Sequence, residues 1–360
     1  MKQRIHGMDA LRGIAMWLGV VLHGVMAYQV DPRVGWPRDQ NISNGMDFIY
    51  EYLHSFRMPL FFLVAGFFAR FLSFKIGNRA FLKHRFKRIL VPFFFSVLLI
   101  VPLTSYTFSI YRNLSEQGNL FVNAFLSNLR WTGFYHIWFL YYLMIFYCLQ
   151  LILQKTFKRV RIKSKYVNEL FFFGSTAFLF LIQFFLYSEK VEPHTGIIPQ
   201  INQICYYGYF FLIGYIIHNN VDFLFRNQYL RYAYLAIGVA LIPIINTFEM
   251  LYFWKSLLLS LQSNLLILGH IAFFMHLFKK QSPSLRYFSD ASYWFYLIHL
   301  PIVVGLQLLF FQFDSSPWIK ATLVVILTTV FSMITYEWLV RYTAIGAMLN
   351  GKKYRAENPR

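Results

Sequence analysis

Long apolar runs separated by short polar segments dominate the chain. "FLFLIQFFLY" (178–187) and "ATLVVILTTVFSMITYEWLV" (321–340) are representative. A helix needs roughly 20 mostly apolar residues to cross a hydrocarbon core, and these runs reach or approach that length. The pattern predicts about ten spans, near 10–29, 48–70, 89–109, 137–154, 169–187, 200–218, 231–248, 254–278, 289–312 and 318–341. The expected fold class is all-α, a polytopic integral membrane protein with one transmembrane domain over 1–360 and no fused soluble domain. No inverted repeat of the kind that marks many transporters is visible.

Composition agrees with this class. Of 360 residues, 58% are hydrophobic and only 14% charged, against about 25% charged in soluble domains. The net charge of +19 would suit a nucleic-acid partner, but its placement argues against one. Basic residues cluster between apolar runs, as in "KHRFKR" (83–88) and "KTFKRVRIKSK" (155–165), the pattern of cytoplasmic loops. Placing both termini in the cytoplasm puts most of the 34 Lys and Arg residues inside. The first span has a basic start and a Val25-x-Ala27 pair that would suit a signal peptidase. Arg12 and His23 are unusual in a disposable segment, so a retained helix is expected. Two cysteines, Cys148 and Cys205, give neither a zinc spacing nor a disulfide framework.

Ionisable residues inside a bilayer are expensive, so each is a candidate for function. In "DALRGIAMWLGVVLH" (9–23), Arg12 and His23 are separated by eleven residues. On a helix they point within roughly 20° of each other, about 16 Å apart along the axis. One stripe thus carries a cation at the inner surface and an imidazole near mid-membrane. The plainer reading is a snorkelling Arg12 and a core His23. A neutral imidazole there can act as general base. Arg85 and Arg88 are i,i+3 neighbours whose guanidinium forks suit phosphate oxygens; they equally suit a topogenic cluster on anionic lipid.

Toward the outer side, Asp47, Glu51, His54 and Arg57 follow rough helical spacing in the first turns of the second span. They form either a salt-bridge set or a polar substrate site. His136 and Trp138 open the fourth span, where Trp138 also fits an interfacial aromatic belt. His299 lies about ten residues into the ninth span, and Pro301 frees a backbone carbonyl beside it. Ser289, Asp290 and Ser292 are expected to cap that helix. Glu337 near the inner end of the last span can pair with Arg341, four residues on. Together these residues predict a polar route across the bilayer, used by a transporter or flippase for a polar glycan, or by an enzyme joining a donor on one face to an acceptor on the other.

"MDALRGIAMWLGVVLHG", "RMPLFFLVAGFFA", "KHRFKRILVP", "HIWFL" and "DASYWFYLIHLP" resemble the successive signatures of the membrane acyltransferase-3 family. They occur in family order and cover nearly the whole chain, nearest to the branch that acts in periplasmic glucan biosynthesis. The family's Arg-x10-His signature falls on Arg12 and His23, and its Arg-x2-Arg signature on Arg85 and Arg88. Ala65 stands where a serine often precedes Gly66, so a serine there is no part of this chemistry.

The resemblance implies a membrane O-acyltransferase of the bacterial inner membrane. It would move an acyl group, succinyl in that branch, from cytoplasmic acyl-CoA to a glycan hydroxyl in the periplasm. Arg12, Arg85 and Arg88 would hold the coenzyme A phosphates, with Asp9, His299 and Glu337 in support. His23 would serve as base or take the acyl group itself. Asp47, Glu51, Arg57, His136 and Trp138 would hold the sugar. A thioester is reactive enough that neither a metal nor a tightly bound cofactor is expected. The expected partners are acyl-CoA, a carbohydrate acceptor and lipid, and no nucleic acid.

Overall fold

The computed structural model describes residues 5–114, 133–157, 169–187, 191–280 and 282–350. Residues 158–165 of the second basic block and the tail from 351 lie outside this set. Among the described residues nine helices are long and apolar enough to cross a membrane. They are α1 (His6–Tyr28), α2 (Asn44–Ile76), α3 (Asn78–Arg112), α4 (Tyr135–Ile152), α5 (Glu169–Leu186), α7 (Gln228–Thr247), α8 (Tyr252–Leu277), α9 (Pro283–Phe310) and α10 (Pro317–Val340). The expected span at 200–218 corresponds to α6 (Ile201–Ile217), of 17 residues, which continues into a 3-10 segment, His218–Phe225. A short helix, α11 (Ala344–Asn350), follows α10. The protein is an all-α, multi-pass membrane protein.

Three helix starts differ from the hydropathy pattern, each because polar residues continue the helix. Helix α2 begins at Asn44, where the Ser43 side chain accepts from the Gly45 N–H. Helix α3 begins at Asn78, directly after a reversal at Gly77, so "KHRFKR" is helical and Arg85 and Arg88 sit on a helix rather than in a loop. Helix α9 begins at Pro283 and is capped by Ser282, not by Ser289, Asp290 or Ser292. A proline at the first helical position loses only an amide that has no intrahelical partner.

Helix α1 occupies the centre, packed against α9, α2, α8 and α10. Helices α2 and α6 cross very closely. A Cβ added to Gly66 would lie 1.9 Å from the Phe211 carbonyl oxygen, and one at Gly214 would lie 1.8 Å from that of Leu63. Close approach through small residues is a general route to helix association in lipid. This packing, rather than serine chemistry, accounts for the glycine in "VAGF".

Prolines inside α2 and α9 each release a carbonyl four residues back. Below Pro59, the Ser55 carbonyl accepts from the Ser263 hydroxyl at 3.4 Å. Below Pro301, the Leu297 carbonyl accepts from His136 Nε2 at 3.0 Å. The second of these shapes the site described next.

Candidate active site

Two of the cavities along α1 hold residues singled out by the sequence. The first, of about 370 Å³, gathers Arg12 from α1, Arg85 and Arg88 from α3, and Ser289, Asp290 and Tyr293 from α9. The cationic residues singled out by the sequence therefore converge from separate helices. Arg85 immediately precedes, and Arg88 lies within, the first of two π-helical turns in α3, Phe86–Leu90; such turns are frequent at functional sites. Arg12 donates to Ser289 Oγ at 3.4 Å, and Ser289 Oγ donates to the Asp9 carbonyl at 3.1 Å. Asp9 is 4.0 Å from Arg12 and also lines the cavity. Arg85 lies over the Tyr147 ring at 4.8 Å. Tyr293 donates to the Arg88 carbonyl at 2.9 Å, and Arg88 Nε is buried without a hydrogen-bond partner. The result is a socket of guanidinium groups with donor capacity to spare, which suits phosphate.

The second cavity, of about 330 Å³, contains His23, His136 and His299 together with Arg57, Trp36 and Tyr296. Met16, Phe61 and Phe139 line both cavities, so an apolar partition three side chains wide separates the cationic socket from the histidines. His23 and Arg12 share a stripe of α1, as their spacing predicts, but they face the two sides of that partition.

The three imidazoles form a chain. Ring centroids lie 5.3 Å apart for His23 and His299, and 4.8 Å apart for His299 and His136. Backbone carbonyls only accept, so each ring nitrogen facing one must carry the proton. His299 Nδ1 faces the Phe295 and Tyr296 carbonyls at 3.0 and 2.8 Å, leaving a lone pair on its buried, unpartnered Nε2 in the neutral ring. His136 Nε2 faces the carbonyl released by Pro301, leaving the lone pair on Nδ1, also buried and unpartnered. His23 stacks on Trp36 at 5.3 Å and 10°, and its Nδ1 has no hydrogen-bond partner. Gln307 holds this arrangement. It donates to the His23 and Gly24 carbonyls at 2.8 and 3.1 Å and accepts from Trp36 Nε1 at 3.2 Å. Among the described residues no group of three or more His, Cys, Asp or Glu side chains is placed to hold a metal ion.

The outer residues singled out by the sequence divide. His136, Trp138 and Arg57 line the histidine cavity. Trp138 is buried and packs on Tyr207 at 5.2 Å rather than forming part of an interfacial belt. Arg57 lies thirteen residues inside α2, because that helix begins at Asn44, and so reaches the histidines instead of the mouth. Asp47 serves the loop after α1, accepting from the Val30 and Asp31 amides at 2.9 and 3.3 Å. Glu51 lines a separate small cavity with Gln183 and Tyr206; His54 borders both that cavity and the histidine cavity. Glu337 accepts from Arg341 at 2.8 Å, from Tyr287 at 2.9 Å and from Tyr342 at 2.7 Å, away from either cavity.

Sequence reasoning missed Trp36 and Gln307. Trp36 sits in the loop between α1 and α2, and its role depends on that loop folding back over His23. Part of that fold comes from a buried ion pair, Lys320 donating to both Asp39 oxygens at 2.9 and 3.0 Å. A lysine inside an apolar run was the available signal for it.

The amino-acid sequence is similar to those of known proteins. An acyltransferase domain model, that of the acyltransferase-3 family, matches residues 5–337. Among curated relatives, "Glucans biosynthesis protein C" of Escherichia coli strain SMS-3-5 / SECEC is 22% identical over 369 residues, covering 97% of this chain and 95% of that protein. Its counterpart in Escherichia coli K12 has the same identity and coverage. No solved structure shows significant similarity. With five expected signatures falling on two adjoining cavities and a domain match over nearly its full length, the chain belongs to the acyltransferase-3 family and is a membrane acyltransferase.

Proposed function

We propose that this acyltransferase takes an acyl group, succinyl in the first instance, from acyl-CoA entering at the cytoplasmic side. It places that group on a hydroxyl of a periplasmic glycan at the outer side of the bacterial inner membrane. One observation carries the reading: the socket of Arg12, Arg85 and Arg88 and the cavity of His23 share the partition of Met16, Phe61 and Phe139. A donor with phosphates at one end and a thioester on a long arm spans such a pair. The relatives' name, with its reference to glucans, supports a glucan acceptor.

In this scheme the arginines neutralise the coenzyme phosphates, and Ser289 keeps Arg12 aimed into the socket. The pantetheine arm crosses the partition and brings the thioester to His23. His23 accepts the proton of the acceptor hydroxyl. The oxygen forms a bond to the thioester carbon, the carbon–sulfur bond breaks, and the proton passes to the departing thiolate. If His23 instead takes the acyl group, the lone pair fixed on His299 Nε2 serves as the second base. Positive-inside loop charge supports cytoplasmic termini, which puts the socket at the inner face.

The test is group transfer itself. Purified protein in nanodiscs is incubated with acyl-labelled succinyl-CoA and a soluble glucan. Label on the glucan supports the proposal. Glucan or lipid-linked glycan crossing the bilayer of proteoliposomes, with no label transferred, would replace it with transport.

A further inference from the structure

We infer that Arg57 is the group that stabilises the tetrahedral oxyanion formed when the thioester is attacked. The inference rests on the acyl-transfer reading above and assigns a catalytic role to a residue whose sequence position suggested sugar binding.

Gly19 lies one turn from His23 on α1. A Cβ at this position would lie 2.2 Å from Arg57 Nη1 and 4.0 Å from His299 Nε2. The guanidinium of α2 is therefore seated against the bare backbone of α1, beside the histidine pair, and only a glycine leaves it that room. Positions 19 and 23 share a helix face, so Arg57 lies along the same stripe as His23, between it and Met16 of the partition. A thioester arriving from the arginine socket and presented to His23 passes this point.

The charge balance points the same way. Among the described residues Arg57 has no carboxylate ion-pair partner, and its Nε is buried without a hydrogen-bond partner. Two other deeply placed cations have carboxylate partners, Lys320 with Asp39 and Arg231 with Glu169 at 2.9 Å, while the buried Arg70 donates to the Tyr215 carbonyl. Around Arg57 stand imidazoles and the tyrosines Tyr50, Tyr207 and Tyr296. A cation held without an anion inside the helix bundle is expensive at rest, and it is a preorganised donor where negative charge develops. His299 and His136 cannot take this role as neutral rings, because the N–H of each is held by a backbone carbonyl and the remaining ring nitrogen carries only a lone pair. When the hydroxyl oxygen adds to the thioester carbon, the carbonyl oxygen gains the charge. The guanidinium N–H groups hold that charge until the carbon–sulfur bond breaks and the carbonyl reforms.

The test compares Arg57→Gln, Arg57→Lys and Gly19→Ala with the parent protein in nanodiscs, using succinyl-CoA and acetyl-CoA separately as donors. Arg57→Gln is expected to lower kcat about 10²- to 10³-fold, the usual loss for one oxyanion donor. The loss should be equal for the two donors, with KM for each little changed. Arg57→Lys should recover part of the rate. Gly19→Ala keeps the arginine but displaces it, and should lower kcat while acyl-CoA affinity measured by calorimetry stays within a few-fold. A loss confined to succinyl-CoA would overturn the inference, assigning Arg57 to the acyl carboxylate. Unchanged kcat in Arg57→Lys and Gly19→Ala together would also overturn it, whether or not Arg57→Gln folds. Absence of transfer from both donors by the parent protein would overturn the acyl-transfer reading itself, and this inference with it.

Discussion

Pro301 and His136 are coupled through a single atom. The proline removes the amide that would bond the Leu297 carbonyl, and His136 Nε2 donates to that carbonyl at 3.0 Å. A backbone hydrogen bond missing from α9 thereby fixes the tautomer of a ring on α4 and leaves its lone pair on the buried Nδ1. His136→Ala would leave the buried carbonyl unpaired, a cost of about 1–3 kcal/mol. In a Pro301→Ala background the restored amide can take the carbonyl, so the cost of His136→Ala should shrink. A double-mutant cycle of thermal unfolding in detergent measures this. Strictly additive losses would contradict the coupling.

The partition gives a second prediction. Met16 contributes to both cavities and lies one turn below Gly19 on α1. Met16→Trp should obstruct passage from the arginine socket to His23. Transfer is expected to fall about 10²-fold, the scale of loss when a reacting group is misplaced, while acyl-CoA still binds. Normal turnover in this variant would show that the donor does not cross here.

The socket gives a third. Charge-assisted hydrogen bonds contribute about 1.5–3 kcal/mol each. Arg85→Ala combined with Arg88→Ala should therefore raise the Kd for acyl-CoA at least tenfold, with desulfo analogues lacking the thioester affected equally. Unchanged affinity would return both residues to a topogenic role.

The extent to which the amino-acid pattern reveals this design follows from physics. Arg12, His23, Arg85, Arg88 and His299 stand out because ionisable groups are costly in lipid, and all five line one or other cavity. Hydropathy locates the spans but not their polar ends. The start of α2 at Asn44, held by Ser43, puts Arg57 deeper than an apolar count suggests. The start of α3 at Asn78 makes a basic loop into a helix. Tertiary relations leave weaker traces. Nothing local marks Trp36 for stacking on His23, Gln307 for bracing both, or Asp47 for binding loop amides in place of a ligand. These depend on a loop folding back over α1, anchored by Lys320 and Asp39.

The central claim is that His23 is the reactive end of a path that begins at the arginine socket. The most direct measurement is the behaviour of His23→Ala in nanodiscs, with acyl transfer to glucan and acyl-CoA affinity recorded on the same preparation. The account predicts that transfer falls to background while affinity stays within a few-fold of the parent protein, because the phosphates are held on the other side of the partition. Transfer by His23→Ala at the parent rate would contradict it.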